Sequence, residues 1–350
     1  VIIFVLAIVQ LILLGYAATN DIQHLRPVVL EADRSSESRA LVEAYRASGY
    51  FEIDVHVDTE EELARRIDSG SARAGIVIRP GFGADIAARR TAQVGVVIDG
   101  SDPSVANTVL AAAQSVGQAR SVELALEALA GRQPAVPQVD VRPRVWYNPE
   151  LKSANFMIPG LMGMILTFLA TMLTALAIVR ERELGTLEQL IVTPIRPLEL
   201  VLGKVAPYVV VAYFAVIEVL VIGLFWFGVP IHGSIVLLLI LTGLFLFTSL
   251  GQGLLISTVA RTQQEAMLLT WLTILPSIFL AGFFFPIEAM PAALRFLSLF
   301  VPLRYLLVIL RGIILKGVGM AVLWDEVLAL VIFGLAVTLL AAIRFRRTLD

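Results

Sequence analysis

The sequence predicts a membrane protein with an all-α transmembrane domain of six spans and an inserted extracytoplasmic α/β domain. Three observations carry that expectation. The 350 residues are 58% hydrophobic, against about 45–50% in soluble domains, and the mean hydropathy is +0.84. The apolar residues are unevenly spread: 20–150 has the composition of a soluble domain, while most of 154–345 is apolar with sparse charge. Finally, the apolar part divides into lengths that suit a bilayer, whose hydrocarbon core takes roughly 20 helical residues to cross.

Five later segments meet that length, at about 156–179, 205–228, 234–258, 266–285 and 327–343. The opening run, Val1 to Ala18, is slightly short, and it begins with Val1 rather than Met, so a missing start is expected. The stretch "YAATN" offers small residues for signal-peptide cleavage. A cleaved peptide does not stay in a mature chain, so the run is taken as a first span.

Basic residues orient the spans, because Lys and Arg near span ends favour the cytoplasm. Arg180, Arg182, Arg196 and Lys204 share one loop, Arg261 sits in the next loop of the same side, and Arg344, Arg346 and Arg347 end the chain. The loop at 229–233 carries no Lys or Arg. Six spans with both termini in the cytoplasm satisfy this pattern. The expected domains are a first span at 1–18, an extracytoplasmic α/β domain at 19–152, and a transmembrane domain at 153–350 with five further spans.

The stretch Phe283 to Gly317 is apolar but broken by Pro286, Pro291 and Pro302 and punctuated by Arg295, Arg304, Arg311 and Lys316. Only Tyr305 to Leu310 separates Arg304 from Arg311, far too little to cross. A re-entrant hairpin at about 286–317 is expected, since irregular backbone at membrane depth survives only when packed on protein or water. An interfacial loop is the other reading.

Within 19–152, "PVVLEAD", "YFEIDVHV", "AGIVIRP" and "VGVVIDG" read as strands. The last two are continuous β-branched runs, as expected of strands buried on both faces. Helix starts fall near Asp33–Glu37, at Asp58 or Thr59, and at Asp102-Pro103, which opens a long helix to about Ala130. The segment "QPAVPQVDVRP" returns extended. The pattern is that of a small βαβ-type domain. "GFG" at 81–83 precedes a short helix and suits either an anion at a helix N-terminus or a tight turn.

Catalysis finds little support. The net charge of −2 gives no reason to expect nucleic acid, and the absence of Cys excludes disulfides and thiolate metal sites. His24, His56 and His232 lack metal-ligand spacing, and no nucleophile elbow or HExxH pattern occurs. No G-x-x-x-x-G-K-[ST] phosphate loop occurs either. A non-enzymatic chain that itself binds no cofactor is expected.

The informative stretch is "VRERELGTLEQLIVTPIRPLELVLGK", Val179 to Lys204. The charges of Arg180 to Glu183 mark the end of a span, and Gly185 permits a turn or C-cap. Thr186 followed by Gln189 has capping-box form. Leu187, Leu190 and Ile191 then fall on one helical face, with Glu188 elsewhere. Pro194 disfavours helix at Thr193, and Pro197 suits the first turn of the next helix. The result is a short amphipathic helix at about 186–193, which can lie in the lipid interface or enter a groove on a partner.

That stretch resembles the cytoplasmic coupling segment of bacterial ABC-2 type transporter permeases, in the multidrug or drug-efflux subgroup with a large extracytoplasmic domain. The match is densest at Glu181, Arg182, Glu183, Gly185, Thr186, Glu188, Gln189, Leu190, Thr193, Pro194 and Lys204. It extends over 156–345 in span layout, while the α/β domain is similar only in placement and character. The resemblance implies a type-2 ABC exporter fold in the bacterial cytoplasmic (inner) membrane. It also implies a second permease chain, identical or paralogous, and a separate P-loop ATPase that binds ATP and Mg. On the same ground Arg182, Glu183, Gly185, Thr186, Leu187, Glu188, Leu190, Ile191 and Pro194 are the residues expected to couple to it. A periplasmic adaptor protein on the outer domain is a further partner implied by kinship alone.

Polar residues at membrane depth are the candidates for a substrate path. Glu218 lies mid-span, where a charge costs about 2.5–3.5 kcal/mol on insertion scales. It either faces the path or is a protonated carboxyl bonded to a neighbouring helix. Thr167, Thr171 and Thr174 share a helix face, and Gln252 lies between Gly251 and Gly253; helix packing explains all four more cheaply than substrate contact does. Two other classes stay open, a membrane sensor with a ligand-binding outer domain and an ion-driven secondary transporter using Glu218.

Overall fold

The computed structural model describes residues 25–130, 138–185 and 197–347. It divides into an α/β unit ending at Phe156 and a helical unit beginning at Met157. The expected first span at 1–18 and the expected coupling helix at 186–193 lie outside the described residues.

The α/β unit is built on five strands: β1 (Val28–Glu31), β2 (Val55–His56), β3 (Ala74–Ile78), β4 (Thr91–Asp99) and β5 (Gln138–Trp146). Their order across the sheet is β2-β1-β3-β4-β5. β1 runs parallel to β2 and β3, β4 is antiparallel to β3, and β5 is parallel to β4. The "YFEIDVHV" stretch contributes only the two residues of β2, plus a bridge from Phe51 to Leu25.

Four helices join the strands: α1 (Ser36–Ala47), α2 (Glu60–Asp68), α3 (Phe82–Ala87) and α4 (Pro103–Ala130). Their starts are capped from the sequence. Ser35 accepts from the Ser38 N–H and Thr59 from the Glu62 N–H, each satisfying an orphan donor of the first turn. Asp102 Oδ1 accepts from Ser104 and Val105 ahead of α4.

β3 is buried at every position, as its β-branched run predicts. β4 is not buried on both faces: Ala92, Val94, Val96 and Ile98 are buried, while Thr91 and Gln93 are exposed and Gly95 and Val97 half-buried. The reason is layering. α3 and α4 pack on β4 from one side, whereas α2, on the other, packs on β1 and β3.

The glycines of "GFG" form a turn whose anion belongs to the chain itself. Gly81 adopts φ +95°, a conformation that favours glycine. The Asp33 carboxylate accepts from Gly81 N at 2.7 Å, Gly83 N at 2.9 Å and Ser35 Oγ at 2.5 Å. Burial alone raises this carboxyl, but the bonds from Ser35 and the Gly83, Gly81 and Phe82 backbone outweigh it and hold Asp33 below the usual carboxylate range.

The helical unit contains α5 (Ser153–Glu183), α6 (Pro197–Phe225), α7 (Ile235–Val259), α8 (Gln263–Leu280), α9 (Ala292–Ser298), α10 (Pro302–Arg311) and α11 (Met320–Arg347). Among the described residues, four helices are long and apolar enough to cross a membrane, within α5, α6, α7 and α11. α8 overlaps the expected span at 266–285 but opens with Gln263, Gln264 and Glu265, so it is less apolar. Over the stretch expected as a hairpin lie α9 and α10, the latter continued to Lys316; the pair is bent by 83° and counts as a fifth span only if taken together.

α10 is deeply packed. Leu303, Leu306, Leu307, Ile309 and Leu310 are at most 1% exposed, so this bent segment lies on protein, as irregular backbone in a membrane must. It continues into a wide turn at Gly312–Lys316, whose Ile314 carbonyl accepts from His232 N at 3.0 Å.

Replacing Asp33 with Asn is expected to lower the stability of the α/β unit by about 1 kcal/mol at neutral pH, because an amide nitrogen replaces one of two accepting oxygens. A depressed carboxyl stabilises above its unfolded value, near 3.9, and loses that contribution as pH falls through the folded value. The gap in thermal midpoint between native and Asp33→Asn chains should therefore narrow between about pH 5 and about pH 3. A gap independent of pH would show that the carboxylate charge is not what holds the turn.

Candidate functional site

The expected coupling segment begins where α5 ends, and its first residues are described. α5 stops at Glu183, and Gly185 takes φ +70° with its N–H on the Arg182 carbonyl at 3.2 Å. This is the left-handed residue that commonly follows a helix C-terminus.

Just before that stop, two consecutive side chains reach the turn between α7 and α8. Arg182 Nη1 donates to the carbonyls of Ser257 and Ala260, each at 2.9 Å. Ser257 lies in the last turn of α7 and Ala260 is its C-cap, so a cation sits where the helix dipole favours one. Glu183 accepts from Gln263 N at 3.1 Å and from Gln263 Nε2 at 2.5 Å. Gln263 opens α8, so the carboxylate stands at the matching positive end.

The turn is also fixed from within. Thr262 Oγ1 accepts from Glu265 N at 3.1 Å, and Glu265 Oε2 accepts from Arg261 N at 2.7 Å. The pair works like a capping box whose acid reaches one residue further back. Beneath the polar layer, Ala175 and Val179 of α5, Ile256 and the C-cap Ala260 of α7, and Ala266 of α8 form a buried cluster. Arg182 and Glu183 thus join three helix ends over an apolar base. Sequence reading singled out both residues but not Ser257, Ala260, Gln263 or Glu265; the T-x-x-E spacing at 262–265 was the available signal. Thr186, Leu187, Glu188, Leu190, Ile191 and Pro194 lie outside the described residues.

The path candidates separate into two settings. Thr167, Thr171 and Thr174 are buried. Thr167 Oγ1 bonds back to the Gly163 carbonyl at 2.7 Å, and Thr171 Oγ1 donates to the Ser249 carbonyl on α7 at 3.3 Å. A Cβ on Gly253 would lie 2.6 Å from the Thr171 carbonyl and 2.8 Å from Thr174 Cβ, so α5 and α7 approach too closely there for a larger residue. Thr174 Oγ1 has no hydrogen-bond partner among the described residues. Gln252 is half-buried on α7.

Glu218 is placed differently. It is exposed on α6, among the exposed side chains of Phe214, Ile217, Val221 and Ile222, and the described residues make no hydrogen bond to it. The carboxyl thus stands on an apolar face that the described residues leave exposed. α6 is held to α7 elsewhere, by Tyr213 Oη donating to the Leu239 carbonyl at 3.1 Å across Gly243.

Comparison with known proteins gives a consistent result. The family model described as "ABC-2 family transporter protein" matches residues 1–343. The chain is 33% identical to the "Probable multidrug ABC transporter permease YbhS" of Escherichia coli K12, over 99% of this chain and 91% of the relative. It is 28% identical to the "Probable multidrug ABC transporter permease YbhR" of the same organism, over 97% and 91%. It is 30% identical to its "Inner membrane transport permease YhhJ", over 93% and 86%. No solved structure matches the chain.

The chain has no Cys, which makes the grip directly testable. Cys placed at both 183 and 263 should be joined by a short bifunctional thiol cross-linker, whose reach replaces the longer Glu and Gln side chains, read as the loss of both sites for a maleimide label. Retention of both free thiols would contradict the contact. Arg182→Ala should destabilise the detergent-purified chain by about 2 kcal/mol, the scale of hydrogen bonds to a charged group. The exposed Glu183→Ala should cost less, and thermal unfolding of the two variants checks the order.

Proposed function

The chain belongs to the ABC-2 transporter family, and on that premise we propose that it is the membrane-spanning permease of an ATP-driven exporter. The observation that carries the proposal is the grip of Arg182 and Glu183 on the turn between α7 and α8. An amphipathic segment that leaves α5 at this joint is well set to receive a push and deliver it to three helices at once. We assign residues 186–193 as the docking helix for a separate ATPase subunit, with Leu187, Leu190 and Ile191 facing it. A chain without a phosphate loop needs such a partner if ATP drives transport.

In this account the transporter is a pair of permease chains and a pair of ATPases. Closure of the ATPases presses on the two docking helices, and rigid-body movement of the spans alternates access. Each permease crosses the membrane six times, with 1–18 and α8 completing the four strongly apolar helices, both termini in the cytoplasm and the α/β unit outside. An adaptor protein on that unit is a further partner consistent with the family.

The position of Glu218 supports a second chain or a watered path beside α6. A carboxylate facing hydrocarbon at mid-span costs about 2.5–3.5 kcal/mol on insertion scales, which a facing protein or water removes. Thr167, Thr171 and Thr174 are better read as packing residues, so Glu218, with Gln252 second, is our candidate for substrate contact. The substrate class we favour is drug-like and cationic, following the carboxyl and the multidrug names of the relatives.

Two experiments test the proposal. A detergent pull-down from the native host should recover a P-loop ATPase with the native chain and lose it with Leu187→Glu/Leu190→Glu. Recovery of no ATPase under conditions that preserve other membrane complexes would remove the exporter reading and leave an ion-driven carrier. Glu218→Gln should reduce export of cationic compounds about tenfold, the worth of one charge-assisted hydrogen bond, with ATPase binding intact. Unchanged export and substrate range would sink the role of Glu218.

A further inference from the structure

On the face of the sheet that carries α2, a cavity of about 390 Å³ opens over β4 and β5, within the usual range of small-molecule sites. Its walls follow from register. Gly95 pairs with Arg142 and Val97 with Arg144, and alternation puts Arg142, Arg144 and Trp146 on one face of β5. Val141 points the other way, against Gly117 of α4. Gly95 and Val97 give the cavity a low, apolar floor, and Trp146 gives it an aromatic wall.

The rim is basic. Arg79, Arg142 and Arg144 line the cavity against a single carboxylate, Glu60. Arg79 reaches Glu60 only at 4.0 Å with both side chains exposed, so that pair is weak. Arg142 meets Asp140 at 2.6 Å. Arg144 is exposed and has no hydrogen bond or ion pair among the described residues. On this face α2 packs on β1 and β3, and the cavity with its arginine rim opens beside it, over β4 and β5.

We propose that this cavity binds a small organic oxyanion, a carboxylate or phosphonate carried on a planar apolar body. The guanidinium of Arg144, with Arg142 and Arg79 beside it, takes the oxyanion in the forked geometry that suits such groups. The body lies on Val97 and Gly95 and against the Trp146 ring. This site uses none of the residues assigned to the transport path and holds whether or not the chain exports a drug.

The test uses the full chain in lipid nanodiscs and fluorine NMR of two probes, para-trifluoromethyl benzoate and para-trifluoromethyl phenylphosphonate. The neutral para-trifluoromethyl benzamide is the control. At least one anionic probe should be broadened by the native chain, and the benzamide should not. Arg144→Gln should weaken the bound anion about tenfold, as expected for a lost charge-assisted hydrogen bond. Gly95→Leu should abolish binding by filling the floor. A Cβ at Gly95 lies 3.5 Å from Val77 Cβ, an ordinary contact, so both variants should keep the native thermal midpoint. No broadening by either anion, equal broadening by the benzamide, or unchanged binding in both variants would overturn the proposal.

Discussion

A helix that ends at the border of a hydrocarbon layer must give its last carbonyl groups a partner, because water is scarce and an unmet group is expensive. At the end of α7 that partner is Arg182 of α5. The start of α8 has the inverse need, donors without acceptors, and Glu183 meets it. Two adjacent residues of opposite charge therefore complete two helix ends of opposite polarity. Much else in the helical unit depends on this: the path of the turn between α7 and α8, and the burial of the Ala, Val and Ile cluster beneath it.

Above that joint the helices are held by small residues rather than by polar networks. Gly253 lets the α5 backbone approach within the reach of a single methyl group, and Gly251 does the same against Thr338 of α11. Close packing of this kind supplies the van der Waals contact that replaces the hydrophobic effect inside a bilayer. It also makes the seam stiff, so α5, α7 and α11 are suited to move together. α6 has the opposite character, with an exposed apolar face and one carboxyl on it.

Much of this was legible in the sequence. Helix starts at Ser35, Thr59 and Asp102 were readable because capping needs only a side-chain oxygen at the right spacing. The long apolar helices and the proline-broken α9–α10 segment were readable for the same local reason. What escaped was relational. "VGVVIDG" reads as a strand buried on both faces, but burial depends on which helices cover it, and α2, on the cavity side, packs on β1 and β3. "YFEIDVHV" contains a strand pattern of which the neighbouring β1 pairs with only Val55 and His56. In the site, Arg182 and Glu183 stood out as charges at a span end. Their acceptors and donors on Ser257, Ala260 and Gln263 are mostly backbone groups some eighty positions away, and backbone groups leave no mark in composition. The anion suggested by "GFG" was equally local in appearance and proved to be Asp33, supplied by a distant loop.

The account turns on α5 and the turn between α7 and α8 moving as one piece when the ATPase acts. The most direct test is electron paramagnetic resonance with spin labels at Leu184→Cys and Arg261→Cys, both exposed positions, in the assembled transporter. The account predicts one narrow distance distribution, the same without nucleotide and with trapped ATP, that broadens when Arg182 is replaced by Ala. A native distance that shifts by several ångströms between the two states would show that the joint opens during the cycle, and would contradict it.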